Sequence, residues 1–347
     1  MNLKYQSIYS FLDNFQTTRN VQCIYIHDPI QSISFQFISE MLIIHGGAGI
    51  HNKSQFNDFK LMIKTCLKNT QTSIEAVTFL ENHQLANAGF GKHSTHDECD
   101  ASITTRDGYE NFSSVASIPN SNHWLSPIQA VEKLLNSDNL DKCLCGDAIY
   151  ESIQMDRQKV KLKPDTKITN GVTKSGLEQK SEQLFEFFKP VTDTVGAICE
   201  NFICSSSCGP KLKHRGRIGP VAMPGCTSYS SKNISMMASG SGQLLTKLFC
   251  ISLFHELDSS INDSSGSYTP TEDIISEFIC RKTKHDGSIV GVIVAIQDQN
   301  SNKTELYAVH NSPTFLFGYK TKTRLRCFMS ECHDGFVPSV HVEKLNF

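Results

Sequence analysis

Asp193 and Thr194 stand where a long polar stretch gives way to an apolar run, Val195–Ala197. A threonine hydroxyl is a poor nucleophile unless a base lies beside it. Cleavage of the Asp193–Thr194 bond would free the α-amine of Thr194, whose reference pKa of about 7.7–8.0 suits a general base at neutral pH. One residue would then supply both the nucleophile and the base. The alternative is a surface threonine at the start of an ordinary strand.

The apolar patterns before Thr194 predict a strand followed by three helices. The strand is Met41–Ile44, and it ends in the glycine-rich segment His45–Gly49. The first helix has apolar residues three and four positions apart, namely Phe59, Met62, Ile63, Cys66 and Leu67. The second covers Ser73–Leu80, and the third begins at Ser126-Pro127, where a serine cap precedes a proline in the first turn.

The patterns after Thr194 predict strands, two helices and three further strands. The first of these helices carries Leu244, Leu248 and Ile251, and the second is capped by Thr271. The three strands are Val290–Ile296, Leu306–His310 and Phe315–Tyr319. This order of elements indicates packed layers of helices and strands.

Two segments lack any such pattern. Residues 1–38 have no clear period and are interpreted as an N-terminal extension. Residues 155–192 are rich in lysine, glutamine, serine and glycine, which predicts a mobile linker. The length of 347 residues suggests two domains of ordinary size or one large domain.

The composition excludes several classes of protein. A net charge of −2 gives no general attraction for nucleic acid or for an anionic membrane. The run Ser288–Ile296 has the length of a strand, far short of the roughly 20 apolar residues of a membrane helix. The N-terminus lacks the pattern of a signal peptide. The 13 cysteines are therefore predicted to be reduced thiols in a cytoplasmic or nuclear protein, and their spacings do not favour a metal site.

Six motifs occur in an order that resembles the plant-type asparaginase family of N-terminal nucleophile hydrolases. They are HGGAG at His45–Gly49, NAGFG at Asn87–Gly91, ECDASI at Glu98–Ile103, DTVGA at Asp193–Ala197, KHRGRIG at Lys213–Gly219 and SGSG at Ser239–Gly242. The resemblance implies an α+β fold, a four-layer αββα sandwich. It also implies a precursor that cuts itself between Asp193 and Thr194. The α chain, residues 39–193, and the β chain, residues 194–347, would be two parts of a single domain and would assemble as αβ or (αβ)2.

The resemblance also implies the roles of the site residues. Thr194 would be the nucleophile, and Ser207 would hydrogen-bond the Thr194 region and orient it. Ser239 and Gly240 would form the oxyanion site, where a single donor can change the rate by about 100- to 1,000-fold.

Two further residues would bind the substrate. Arg217 would hold the side-chain carboxylate, because a guanidinium suits bidentate carboxylate binding. Gly242 would let the backbone approach the substrate closely. Neither a cofactor nor a metal ion is implied.

Other positions depart from the family pattern. The segment from Thr194 to Ser207 is shorter than in the family, and Cys208 replaces a glycine. We expect the missing residues to belong to the tip of a hairpin, so that its two strands survive on a tighter turn. Asn87–Gly89 and Asp100 are expected to support the floor of the site.

Two positions bear on the substrate. Asp193 replaces the glycine of simple asparaginases, and Pro220 replaces the aspartate that holds a free α-amine. In both, the sequence resembles the branch of the family that cleaves proteins after aspartate, and this resemblance implies nuclear regulators of transcription, cut between Asp and Gly, as substrates. The alternatives are an asparaginase or isoaspartyl peptidase of the same fold, and a catalytically impaired homologue that acts as a binding protein.

Overall fold

The computed structural model describes residues 41–86, 98–105, 112–119, 126–136, 143–145, 194–200, 202–210, 214, 216–261, 269–298, 303–333 and 337–346. The predicted extension 1–38 and the predicted linker 155–192 lie outside these residues. Asp193 and Asn87–Gly89 also lie outside them. All the described residues belong to one compact unit of the chain.

Thirteen strands of the described residues form two sheets. In chain order they are β1 Met41–Gly49, β2 Glu98–Thr105, β3 Phe112–Pro119, β4 Cys143–Cys145, β5 Val195–Cys199, β6 Phe202–Ser207, β7 Ser228–Ser230, β8 Ile234–Gly240, β9 Val290–Asp298, β10 Lys303–His310, β11 Thr314–Thr321, β12 Leu325–Glu331 and β13 Ser339–Asn346. The first sheet has the order β12-β11-β1-β5-β6-β2-β3-β4, and the second has the order β13-β10-β9-β8-β7. Together with the helices described next, these sheets give a fold of mixed α+β class.

Six α-helices of the described residues accompany the sheets. They are α1 Phe56–Asn69, α2 Ser73–Glu81, α3 Pro127–Leu135, α4 Gly242–Leu245, α5 Phe249–Ile261 and α6 Thr271–Thr283. The start of α2 is fixed by a capping box between Thr72 and Glu75. Ser126 is the N-cap of α3 and Pro127 is its first residue, as the sequence predicts.

Three apolar clusters hold these elements together. The first joins α1, α2 and α3 to the first sheet, with Ile63, Val77 and Val131 among its fully buried residues. The second joins α5 and α6 to the second sheet. The third contains residues of both sheets, including Ile43 from β1 and Ile293 from β9. Burial of apolar side chains in these clusters is the main source of the fold's stability.

Three sequence predictions need correction. The predicted strand Met41–Ile44 continues through the glycines to Gly49, with an irregularity between His45 and Gly47. The predicted helix through Leu248 is broken there, since Leu248 has a positive φ of 56° and is 48% exposed. Thr271 is the first residue of α6 rather than its cap, which is Pro270.

Candidate active site

Thr194 lies at the centre of the first sheet, directly before β5. Strand β5 pairs with β1 on one side and with β6 on the other. Thr194 is only 5% exposed. Its backbone N–H donates a hydrogen bond of 3.3 Å to the Oγ of Ser239. The predicted nucleophile is therefore a buried residue with a defined polar partner, not a threonine on the surface.

Ser239 connects the two sheets at this point. It lies near the end of β8, in the second sheet, and is fully buried. Besides the Thr194 N–H, its Oγ accepts a hydrogen bond of 3.1 Å from the N–H of Ala48 on β1. A hydroxyl has two acceptor positions and one donor proton. With two N–H groups bound to its oxygen, the Ser239 hydroxyl retains its own proton for donation.

Gly240 occupies a position that only glycine fits. Its φ is +145°, and a Cβ there would overlap the carbonyl oxygen of Ile289. The next residue continues this contact, because the N–H of Ser241 donates to the Ile289 oxygen over 2.8 Å and the Ile289 N–H donates to the Ser241 Oγ over 3.0 Å. The close approach holds the Ser239–Gly240 segment in one conformation.

Ser207 is brought to the site by the pairing of β5 with β6. Val195 pairs with Ser206, so Ser207 lies opposite Thr194 one step further along the two strands. Cys199 pairs with Phe202, so only two residues lie between the paired ends of the two strands. The two strands thus remain paired despite the shortened segment, as expected. Among the described residues, however, Ser207 Oγ accepts its hydrogen bond from Gly209 N–H, over 3.1 Å, and not from Thr194.

Arg217 lies against Gly242, the other predicted substrate-binding residue. Its Nη2 is 2.8 Å from the point that a Cβ on Gly242 would occupy, and Pro220 Cδ is 3.7 Å from the same point. The Nη1 atom is buried and has no hydrogen-bond partner among the described residues. An unsatisfied guanidinium nitrogen is costly unless an anion meets it. Arg217, Pro220 and Gly242 therefore form one side of a site suited to a carboxylate.

Asp100 supports the side of the site formed by Arg217, Pro220 and Gly242. It is fully buried, and its two oxygens accept hydrogen bonds of 2.8 Å from the N–H groups of Ser117 and Gly219. A Cβ on Gly219 would come within 2.5 Å of the Asp100 Oδ2. Asp100 thus fixes the backbone between Arg217 and Pro220, which agrees with its predicted supporting role.

His45 is a residue of the site that sequence reasoning did not assign. It pairs with Gly196 across β1 and β5, and a Cβ on Gly196 would come within 2.5 Å of the His45 Nε2. Both ring nitrogens are buried, and the backbone of Thr194 is the polar group that acts on the ring. Burial lowers the pKa of His45 to about 3, and the backbone of Thr194 only partly offsets that effect, so the ring is neutral. The histidine of HGGAG and the glycine of DTVGA were the available signal.

The cysteines require a correction. Cys99 and Cys208 form a disulfide, so the prediction that every cysteine is a reduced thiol is wrong for this pair. Nine other described cysteines are not part of a disulfide. Cys99 directly precedes Asp100 on β2, and Cys208 directly follows Ser207 on β6. Sequence spacing could not show this pair because 109 positions separate its members.

A comparison with known protein families identifies the family of the chain. No helix in the described part of the chain combines the length and the apolar character needed to cross a membrane. A family model described as Asparaginase matches residues 38–300, which include Thr194, Ser207, Arg217, Ser239 and Gly242. The match covers more than half of the chain. The chain therefore belongs to the asparaginase family of N-terminal nucleophile hydrolases.

Proposed function

We propose that the chain is a taspase-like threonine endopeptidase, which cuts itself between Asp193 and Thr194 and then cleaves protein substrates after aspartate. The observation that carries the proposal is the burial of Thr194 with its N–H directed at the Ser239 hydroxyl. A residue that only begins a strand has no need of a serine partner in the opposite sheet. A future α-amine has such a need, because it must be held to act as a base.

Self-cleavage requires only the residues at the cut and water. The Thr194 hydroxyl oxygen attacks the carbonyl carbon of Asp193. An ester bond forms as the peptide C–N bond breaks, and the Thr194 nitrogen takes up the hydroxyl proton. Water then hydrolyses the ester, which leaves a carboxylate on Asp193, a hydroxyl on Thr194 and a free α-amine.

The freed amine then acts on the substrate. It takes the proton of its own Thr194 hydroxyl as the oxygen attacks the substrate carbonyl carbon, and it gives that proton to the leaving amine as the substrate C–N bond breaks. Water then hydrolyses the resulting ester, which releases the substrate carboxylate and restores the Thr194 hydroxyl. The oxygen of the Ser239 hydroxyl already accepts hydrogen bonds from two N–H groups. Its proton is therefore available to the negative oxygen of the tetrahedral intermediate. Gly240 supports that role because its close contact with Ile289, which leaves no room for a Cβ, holds the backbone beside Ser239 in place.

Substrate choice follows from the Arg217 side of the site. Its buried Nη1 lacks a partner among the described residues and suits an aspartyl carboxylate. Pro220, beside it, has no side-chain oxygen to hold the ammonium of a free amino acid. The combination favours an aspartate within a polypeptide. The proposed partners are protein substrates with Asp-Gly sites, by resemblance nuclear regulators of transcription, which implies a cytoplasmic or nuclear location.

The layer order and assembly are also part of the proposal. The three apolar clusters support a four-layer αββα sandwich, because one lies between the sheets and the others lie between a sheet and helices. The α and β chains, residues 39–193 and 194–347, would remain associated as αβ or (αβ)2.

Two alternatives have specific support. An asparaginase or isoaspartyl peptidase is favoured by the description of the matching family model. A catalytically impaired homologue that binds proteins is favoured by the Ser207 hydroxyl, which meets Gly209 instead of Thr194.

One processed preparation separates the three functions. We expect cleavage of an Asp-Gly polypeptide and negligible release of ammonia from L-asparagine. Faster release of ammonia from asparagine would contradict the endopeptidase and support the asparaginase. Absence of both reactions in a processed protein would support the binding protein. Pro220→Asp should raise the asparagine reaction relative to wild type, since it restores an acidic partner for the α-amine.

A further inference from the structure

We propose that the Cys99–Cys208 disulfide becomes a bond between two chains once the protein is cut, and that it keeps the α and β chains covalently joined at the active site. The proposal rests on the proposed cut between Asp193 and Thr194. Cys99 precedes that bond in the sequence and Cys208 follows it. Hydrolysis of the peptide bond leaves the sulfur–sulfur bond intact, so one covalent link between the fragments survives.

The position of the bridge connects it with the site. Asp100 pairs with Ser207 across the antiparallel strands β2 and β6, and the two cysteines are the next residues along these chains, opposite each other on the same side of that pair. Asp100 fixes Gly219 beside Arg217, and Ser207 lies opposite Thr194. The bridge therefore joins two strand ends at the site. One is the start of β2 in the α chain, where Asp100 supports the substrate side. The other is the end of β6 in the β chain, where Ser207 lies opposite Thr194.

The bridge is also shielded from solution. Cys99 is 2% exposed and Cys208 is fully buried. Thiol–disulfide exchange needs access of an attacking thiolate to one of the sulfur atoms. We therefore expect the bond to persist in the folded protein during exposure to a mild thiol, and to open when the protein is unfolded in the presence of a reductant.

Electrophoresis and intact mass test the proposal. The full chain is incubated at neutral pH, and its free thiols are then blocked with iodoacetamide under denaturing conditions. Without reductant we expect one species, heavier by one water than the uncut oxidised chain with the same blocked thiols. With reductant we expect two fragments. Two fragments in the absence of reductant would overturn the bridge.

Single substitutions supply the controls. Cys99→Ser and Cys208→Ser should each release two fragments without reductant. Cys143→Ser in the α chain and Cys280→Ser in the β chain remove cysteines outside the bridge and should leave one joined species. If either of these two variants also separates, the link is assigned to the wrong cysteines.

Failure of the cut and failure of the bridge give different results. A chain that remains single after reduction shows that self-cleavage does not occur. In that case a variant with an inserted site for a specific protease between residues 160 and 180 tests the bridge alone. Digested fragments that stay joined until reduction support the bridge, and fragments that separate without reductant overturn it.

Discussion

At the scale of single residues, the site depends on a few groups with defined hydrogen bonds or close steric contacts. The Ser239 hydroxyl accepts hydrogen bonds from the N–H groups of Thr194 and Ala48, and Gly240 has no room for a Cβ. Residue types and motif order were enough to predict Thr194, Ser239, Gly240 and Arg217 as candidates. The hydrogen bond from the Gly209 N–H to the Ser207 hydroxyl was not predictable, because the backbone after β6, with its positive φ at Gly209, decides which donor the hydroxyl contacts.

Arg217 is predicted to select the aspartate of the substrate. In an Asp-Gly peptide, exchange of that Asp for Asn should lower cleavage by wild type about 10- to 200-fold more than cleavage by Arg217→Ala, since a hydrogen bond to a charged group contributes about 1.5–3 kcal/mol. The measurement is kcat/KM for both peptides with both proteins. The same preference for Asp in wild type and variant would assign selection to another residue.

At the scale of elements, the pairing of strands explains why distant motifs occur together. β1 lies between β11 and β5, so the HGGAG segment runs beside the strand that follows Thr194. Apolar period and capping residues predicted α1, α2 and α3, whose faces are buried as expected. They did not predict the break at Leu248, because a left-handed backbone residue is set by its tertiary surroundings.

The contact between β1 and β5 makes a prediction for Gly196. Gly196→Ala places a Cβ within 2.5 Å of the His45 Nε2 and 3.1 Å of the Met237 Sδ, and should cost about 1–3 kcal/mol of stability through overpacking. Denaturant unfolding of an uncleavable Thr194→Ala background measures this cost without interference from processing. The second change His45→Ala should recover part of it. If His45→Ala and Gly196→Ala are simply additive, the two residues do not share the proposed space.

At the scale of the whole molecule, buried ionisable groups connect stability with pH. Burial raises the pKa of Glu81 to about 7, although the Ser206 and Ser126 hydroxyls and the Ile128 N–H partly offset it. Burial lowers the pKa of His45 to about 3 and of His310 to about 4. The folded protein therefore favours protonated Glu81 and neutral histidines, which respond to pH in opposite directions.

Comparison with Glu81→Gln isolates one of these groups. The folded pKa of Glu81 lies above its usual value of 4.5, so its contribution to stability is complete below about pH 4.5 and is lost as the pH rises through about 7. Between about pH 8 and about pH 6, wild type should gain about 1 kcal/mol relative to the variant, while the histidine effects cancel. Unfolding free energies at both pH values, again in the Thr194→Ala background, give the answer. A constant difference between the two proteins would show that Glu81 does not titrate in this range.

The most direct test of the central claim is the N-terminal sequence of the smaller fragment after incubation at neutral pH and reduction. The account predicts that it begins Thr-Val-Gly-Ala-Ile, that is, at Thr194. Thr194→Ala should remain a single chain, because the attacking hydroxyl is absent. A wild-type chain that stays intact at 38.7 kDa, or a fragment that begins at any other residue, would contradict the claim.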